Sequence, residues 1–475
     1  MAIPTYKPFI HNTFTETGNT FEVKNPFTGE PIAIVHRADS NVLDEAVRSA
    51  EQGFEEMRRL SSYDRSQILH KIVEGIRERE EAFIETIVQE SGKPIRFARN
   101  EVFRATITFT TAAEEAKRLG GEVLTLDMAP QTRNYRALAT RVPLGVVLGI
   151  SPFNFPLNLV AHKIAPAIAA GNSIILKPAS QTPLTALLLA EVIRDAGIPE
   201  GGVNIVPASG ADAEELVKDV RIRKLTFTGS AAVGWRLKSL SGKKYVTLEL
   251  GGNAGVIVEP DADLDFAVPR LALGAFAYAG QVCISVQRIY VHQDIWDKFI
   301  NEFVSEVKND IQMGDPHNPD VVVGPMISPA EAERIEQWVQ EALDAGATLL
   351  AGGQRDGAFY APTVLTNTRP DMKVVREEVF APVVIVEPYR EFTEAVAAVN
   401  NSNYGLQAGV FTRDIEKIHY AYRELQVGGV IVNDYPTFRI DPMPYGGSKD
   451  SGFGREGIRY AIEEMTEIRL LAMRF

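Results

Sequence analysis

From about Arg141 onward, short runs rich in Val, Ile and Leu alternate with stretches of helical periodicity, and no other feature narrows the fold of this chain so far. A strand covered on both faces reads as a continuous apolar run, and strands separated by helices form βαβ units around a parallel sheet. The runs are Gly145 to Ile150 (GVVLGI), Ser173 to Leu176 (SIIL), Val203 to Val206 (VNIV), Lys224 to Phe227 (KLTF) and Tyr245 to Leu248 (YVTL). Three of the four gaps between them carry a helical pattern, which predicts a nucleotide-binding sheet. Beyond Gly252 a second set begins, with strands at Ile289 to His292, Val383 to Val386 and Val430 to Asn433 and a helix at Glu331 to Ala345. It predicts a second α/β domain. Before Gly120 the chain reads as helical, over Asn41 to Gln52, Ser66 to Ser91 and Phe97 to Leu119. The final segment, Glu467 to Phe475 (EIRLLAMRF), has the apolar content of a strand; docking on another subunit and pairing within its own chain are equally open.

With 475 residues, 45% of them hydrophobic, the chain can bury a large core and has length for two or three domains. Its 62 acidic residues against 49 basic ones give a net charge of -13, a field that repels phosphate backbones and anionic lipid and excludes nucleic acid as a partner. A single cysteine excludes an intrachain disulfide and a thiolate-rich zinc site; no metal is expected, and a reducing cytoplasm is the expected setting. Met1 to Ile10 shows neither a basic leader nor a continuous apolar stretch. The uncharged run between Arg141 and His162 approaches the length of a membrane span, but Pro143, Pro152, Pro156, Asn154 and Asn158 lie inside it. A buried strand, loop and helix is the reading, with no membrane partner.

Several residues sit where α/β sheets gather chemistry, each with a plain structural alternative. Cys283 follows a Gly-Gln approach in Gly280 to Arg288 (GQVCISVQR), where a tight turn can lift the sulfur into a cleft as a nucleophile; a lone cysteine also serves as an inert small hydrophobe. Glu249 ends an apolar strand in YVTLELGG, as a catalytic carboxylate or a solvated one. Asn154, in ISPFNFPL, offers a rigid amide for an oxyanion or a turn bonded to its own backbone. Lys177 follows the strand SIIL and can reach ribose or phosphate oxygens or remain solvated, while FTGSAAVG (Phe227 to Gly234) suits a helix N-terminus approaching a pyrophosphate.

Together the segments SPFNFP, LKPAS, FTGS, LELGG with GQVC, and EEVFAPV resemble the aldehyde dehydrogenase superfamily, in the family's order from NPFTGE at Asn25 to GGSKDSGFGREG at Gly457. The resemblance implies two Rossmann-type α/β domains plus a small β oligomerisation arm: residues 1–120 and 141–250 for cofactor, 251–455 for catalysis, 121–140 and 456–475 for the arm. It implies oxidation of a small aldehyde to its acid with NAD(P), in a homodimer or homotetramer. Cys283 becomes the nucleophile passing through a thiohemiacetal and a thioester, Asn154 with the Cys283 N–H the oxyanion donors, and Glu249 the base for hydrolysis. Lys177 falls to the adenine ribose, Gly229, Ser230 and Gly234 to the pyrophosphate region, Glu378 and Phe380 to the nicotinamide half, with Ser151, Phe153, Ser180, Gly210 and Leu250 also at the cofactor. Ala381 stands where the family usually has glycine.

Ser180 bears on the choice of dinucleotide. NAD-preferring relatives often place a glutamate three residues after the lysine, and a carboxylate there repels a phosphate, so its absence points to NADP, with NAD also accepted. The chain is similar to the branch of non-phosphorylating glyceraldehyde-3-phosphate, lactaldehyde and phosphonoacetaldehyde dehydrogenases. Arg104 and Arg439 resemble that branch's anion-binding arginines, against the alternative that both serve structural ion pairs. Phosphate-binding members carry arginine just before the cysteine, where this chain has Val282. A short polar or mono-anionic aldehyde such as lactaldehyde, a semialdehyde or a sulfonated analogue is therefore expected. A coenzyme A-acylating enzyme is disfavoured by Glu249, and a non-catalytic nucleotide-binding protein by the joint presence of Asn154, Glu249 and Cys283.

Overall fold

The computed structural model describes residues 3–475; Met1 and Ala2, where the leader reading begins, lie outside the described residues. Five parallel strands form the centre of the first sheet, in the spatial order Tyr245–Glu249, Ile222–Thr228, Val146–Ile150, Ser173–Lys177, Val203–Ile205. All five apolar runs fall on these strands, and all four gaps carry helices: Asn158–Ala170, Leu184–Asp195, Gly210–Lys218 and Ala231–Leu240. Gly452–Phe453 adds antiparallel at one side, and Phe9–Ile10 with Thr13–Phe14 at the other.

The order reverses between Val146–Ile150 and Ile222–Thr228. Helices leaving these two strands cross to opposite faces, so a crevice opens beyond their carboxyl ends, the place where open α/β sheets bind ligands. The uncharged run after Arg141 is a buried strand, a loop and the helix Asn158–Ala170, every residue of which is buried despite Pro166. No helix among the described residues is long and apolar enough to cross a membrane.

The second sheet runs Thr348–Ala351, Thr363–Thr366, Val383–Tyr389, Val286–His292, Ala254–Val258, Gln407–Phe411, Gly429–Val432, parallel except at its first strand. Its five inner strands are nearly all buried, with one apolar cluster around Val256, Ile289 and Phe303 and another around Ile257, Val396 and Val410. Both expected α/β sheets are thus present.

Two readings of the amino-terminal region need correction. Residues before Asp39 are extended: Asn19–Lys24 and Pro31–Arg37 form an antiparallel hairpin, and Thr5–Tyr6 pairs with the latter in parallel. The turn forms at NPFTGE, where the Asn25 Oδ1 accepts from Phe27 N–H at 2.8 Å and Gly29 takes a φ of +75°. The single helix expected from Ser66 to Ser91 is two, Ser62–Glu78 and Glu80–Ser91, because Arg79 leaves helical geometry at φ -112° and ψ 20°.

The terminal strand Thr466–Arg474 pairs antiparallel with Tyr135–Pro143 of its own chain, and Gly121–Thr125 completes a three-stranded sheet. Ile468, Leu470, Leu471 and Phe475 remain exposed on it.

Candidate active site

A cleft of about 770 Å³ lies at the reversal point of the first sheet and reaches across to the second. Its wall takes in Ser151, Phe153 and Asn154 after one strand, Lys177 at the end of the next with Ser180 after it, and Gly229 and Ser230 after a third. Glu249 and Leu250 close the fourth, Gly210 begins a helix beside them, and Cys283, Glu378 and Phe380 arrive from the second sheet. Carboxyl ends of neighbouring parallel strands converge, which is why residues scattered from 151 to 380 meet.

Cys283 follows a loop in an uncommon conformation. Tyr278, Ala279 and Gly280 take φ values of 52°, 54° and 66°. A non-glycine residue in this region costs about 1–3 kcal/mol, so the surroundings must enforce it. Tyr278 is buried, its hydroxyl donates to Ser91 O at 3.2 Å, and the Gln281 N–H closes a turn onto Tyr278 O at 3.1 Å. A Cβ on Gly280 would stand 2.2 Å from Ala381 O, so only glycine fits. The Gly-Gln approach does form the expected tight turn. It leaves Cys283 half-buried, with its N–H free of any hydrogen bond among the described residues.

Asn154 is buried, and its Nδ2 donates to Gln281 O at 2.9 Å, which ties the loop after Ile150 to the loop before Cys283. An amide has two N–H groups, and the second remains for another acceptor. Below it, Glu101 and Lys93 form a fully buried ion pair. Glu101 also accepts Leu157 N–H at 2.9 Å and Asn158 N–H at 3.1 Å, capping the helix that follows. Lys93 Nζ sits 3.8 Å from the centre of the Phe155 ring and 4.7 Å from that of Tyr278, so one cation underlies both loops.

Neither carboxylate oxygen of buried Glu249 has a hydrogen-bond partner among the described residues. Burial raises its pKa well above the usual carboxylate range, and the charge of Glu456 adds to the rise. Glu378 is pushed up to about 7 by burial, against the Gly252 N–H that it accepts at 2.9 Å. Burial pulls Lys177 down to about 8, helped by the neighbouring cation of Arg37. Phe380 holds a φ of 49° and packs edge-on against Phe153, with ring centres 5.9 Å apart.

Gly234 lies behind the cleft wall. A Cβ there would stand 2.3 Å from the Leu250 side chain, so its absence brings the helix Ala231–Leu240 close against the strand end. That helix starts at Ser230 with no side-chain cap, aiming free N–H groups at the cleft, while the Ser151 hydroxyl is buried without a partner among the described residues. A close-set helix N-terminus, an unpartnered hydroxyl and an elongated cleft fit a dinucleotide.

Arg104 and Arg439 stand off the cleft wall, behind Tyr445. The Arg439 guanidinium lies 3.6 Å from the centre of the Tyr445 ring and meets His162 Nδ1 at 3.1 Å and Glu456 at 3.4 Å. Arg104 pairs with Asp441 at 3.7 Å. Yet that contact is longer than a hydrogen bond, and neither the buried Arg104 Nη2 nor the buried Arg439 Nε has an acceptor in hydrogen-bond reach among the described residues. Val282 sits in an apolar cluster with Ile284, Leu406 and Tyr445. Sequence reasoning missed Tyr445, His162, Lys163, Asp441 and Glu456; a lysine inside the apolar run of helix Asn158–Ala170 was the one local signal.

A model of the aldehyde dehydrogenase family matches residues 14–471. The chain belongs to that family. This aldehyde dehydrogenase is similar to a 3-sulfolactaldehyde dehydrogenase of Priestia aryabhattai, with 46% identity over 469 residues, 98% of each chain. It is also similar to the crystal structure of aldehyde dehydrogenase 21 from Physcomitrella patens in complex with the reaction product succinate, with 43% identity and a TM-score of 0.98 over 100% of this chain and 99% of that one. The structure of a glyceraldehyde-3-phosphate dehydrogenase from Methanocaldococcus jannaschii complexed with NADP superposes with a TM-score of 0.93 at 40% identity, over 97% and 100% of the two chains. The protein is an NAD(P)-dependent aldehyde dehydrogenase with the family's α/β fold.

Proposed function

We propose that this enzyme oxidises a short aldehyde bearing a sulfonate or carboxylate to the corresponding acid, with NADP preferred over NAD and Cys283 as the nucleophile. The observation that carries the reading is a pair of buried guanidinium atoms with no acceptor in hydrogen-bond reach among the described residues: Arg439 Nε, on the guanidinium stacked against the Tyr445 ring whose hydroxyl meets Cys283, and Arg104 Nη2, whose ion-pair partner Asp441 stays 3.7 Å away. A buried donor without an acceptor costs about 1–3 kcal/mol, and an anionic substrate group supplies the acceptor. The sulfonated substrate named for one relative and the succinate held by another agree with this class.

The Cys283 sulfur attacks the aldehyde carbon and forms a thiohemiacetal, whose oxyanion is met by the second Asn154 N–H and by the free Cys283 N–H. Bound NADP supplies the hydride acceptor for the oxidation. Glu249, its oxygens unpartnered and its pKa raised, takes the proton of the water that hydrolyses the Cys283 thioester. Lys177 offers a cation to the adenine ribose, with the charge of Arg37 near enough to act on it, and Ser180 brings no opposing carboxylate, which suits a 2′-phosphate. Residues 1–120 with 141–250 serve the cofactor, 251–455 carry the cysteine, and the exposed apolar strand of the small sheet suits homo-oligomer contact.

Purified enzyme is assayed for reduced cofactor with NADP or NAD against sulfonated, carboxylated, phosphorylated and neutral short aldehydes. The sulfonated or carboxylated group should show the highest kcat/KM, and Arg104→Gln should raise KM for it by about tenfold or more while sparing a neutral aldehyde. Equal turnover of neutral and anionic aldehydes, or an NAD preference of about tenfold, refutes the reading.

A further inference from the structure

The Tyr445 hydroxyl lies 3.1 Å from the Cys283 sulfur. It has no other hydrogen-bond partner among the described residues. Tyr445 is held there from two sides. Its backbone exchanges hydrogen bonds with Glu456, N to O at 2.9 Å and O to N at 2.6 Å, so the ring's root is fixed. The ring is buried among Ile284, Leu406 and Val282, with the Arg439 guanidinium against it at 3.6 Å. A buried phenol with one polar neighbour is aimed at that neighbour, because the hydroxyl has nowhere else to place its proton.

We propose that Tyr445 is a catalytic residue of this enzyme, donating its O–H hydrogen bond to the Cys283 sulfur whenever that sulfur carries negative charge. This occurs twice, before attack on the aldehyde and again as the thioester releases the acid. No proton is transferred in either case; Tyr445 keeps its proton throughout. The inference rests on reading Cys283 as the nucleophile and is independent of the substrate class.

The charges around the sulfur show why such a donor is needed. Glu249 faces it from the strand end, Glu378 from the loop after Lys373–Arg376, and Arg439 from the segment that carries Tyr445. Burial pushes the thiol up to about 11, the Tyr445 hydrogen bond and Arg439 work against that rise, and the two carboxylates add to it. Burial also holds the Tyr445 phenol well above its usual value, with Cys283 and Glu249 raising it and Arg439 lowering it, so it acts as a donor and never as the base. Hydrogen bonds to a charged acceptor are about twice as strong as neutral ones.

Because Cys283 is the chain's one cysteine, alkylation by iodoacetamide followed by intact mass reads its thiolate alone. Rates are measured from about pH 6.5 to 10 on the cofactor-free wild type and on Tyr445→Phe, which keeps the ring beneath Arg439. Tyr445→Phe should move the thiol profile up by about one pH unit, slow alkylation about tenfold at fixed pH, and lower kcat/KM by a similar factor with an unchanged melting midpoint. A profile that superposes on wild type, or moves down, overturns the proposal. Should Tyr445→Phe fail to accumulate, 3-fluorotyrosine placed site-specifically at position 445 makes a stronger donor and should move the profile down; no movement overturns the proposal equally. Turnover retained by Cys283→Ser would overturn the nucleophile reading itself, which the alkylation profile does not test.

Discussion

Replacing Lys93 by methionine tests whether the buried pair beneath the cleft holds the two loops that carry Asn154 and Cys283. Lys93 and Glu101 are 1% and 0% exposed, so water cannot compensate when one partner is lost. The Glu101 carboxylate would keep the Leu157 and Asn158 N–H bonds but face them as an unpaired buried charge. Breaking such a pair from one side costs about 3–5 kcal/mol. In a domain of roughly 150–250 residues each kcal/mol moves the melting midpoint by about 2–4 °C, so Lys93→Met should lower it by roughly 6–20 °C. The loss also removes the cation under the Phe155 and Tyr278 rings, which flank Asn154 and precede Cys283, and kcat should fall with the midpoint. Pairing Lys93→Met with Glu101→Gln keeps an acceptor for both N–H groups and removes the orphaned charge, so the double variant should regain at least about half of the lost stability. Scanning fluorimetry on the wild type, both single variants and the double variant completes the cycle. A midpoint shift below about 2 °C for Lys93→Met, or strictly additive effects, would refute the argument.

Asn154→Ala should lower kcat by about 10²–10³ with little change in KM, read by steady-state assay, since it removes one oxyanion donor. Glu249→Gln should release about one equivalent of reduced cofactor per chain in a rapid burst and then stall, visible by stopped flow, because hydrolysis lacks its base. In the wild type the same carboxylate must be ionised to act; its pKa is raised, so kcat should climb with pH beyond the ordinary carboxylate range, and a flat profile from about pH 5 to 8 would contradict the assignment. Gly234→Val should weaken cofactor binding in calorimetry and destabilise the fold by about 1–3 kcal/mol, and Leu250→Ala should partly restore both, because the added Cβ collides with that side chain.

The apolar runs from Val146 to Glu249 announced their strands because burial on both faces leaves a local, continuous pattern that needs no distant partner to be read. The same locality put Asn154, Lys177, Gly229 and Glu249 at or just past strand ends, and the motif set carries the family's signature without help from any tertiary contact. The amino-terminal hairpin escaped because its strands are only partly buried and mix polar with apolar residues, so they leave no continuous apolar run to outweigh the helical residues after Asp39. What lies behind the cysteine escaped for a different reason. Tyr445 is 162 positions from Cys283, and His162 is 279 from Asp441, so nothing nearby in the chain marks either pair. Sequence alone thus determined the repeating units, the loops that carry the candidate site residues and the family to which they belong. Tertiary structure alone decided which tyrosine touches the sulfur and which arginine donors stay unpaired, because those contacts form only when the segment from Gly429 to Glu456 closes back over the first sheet.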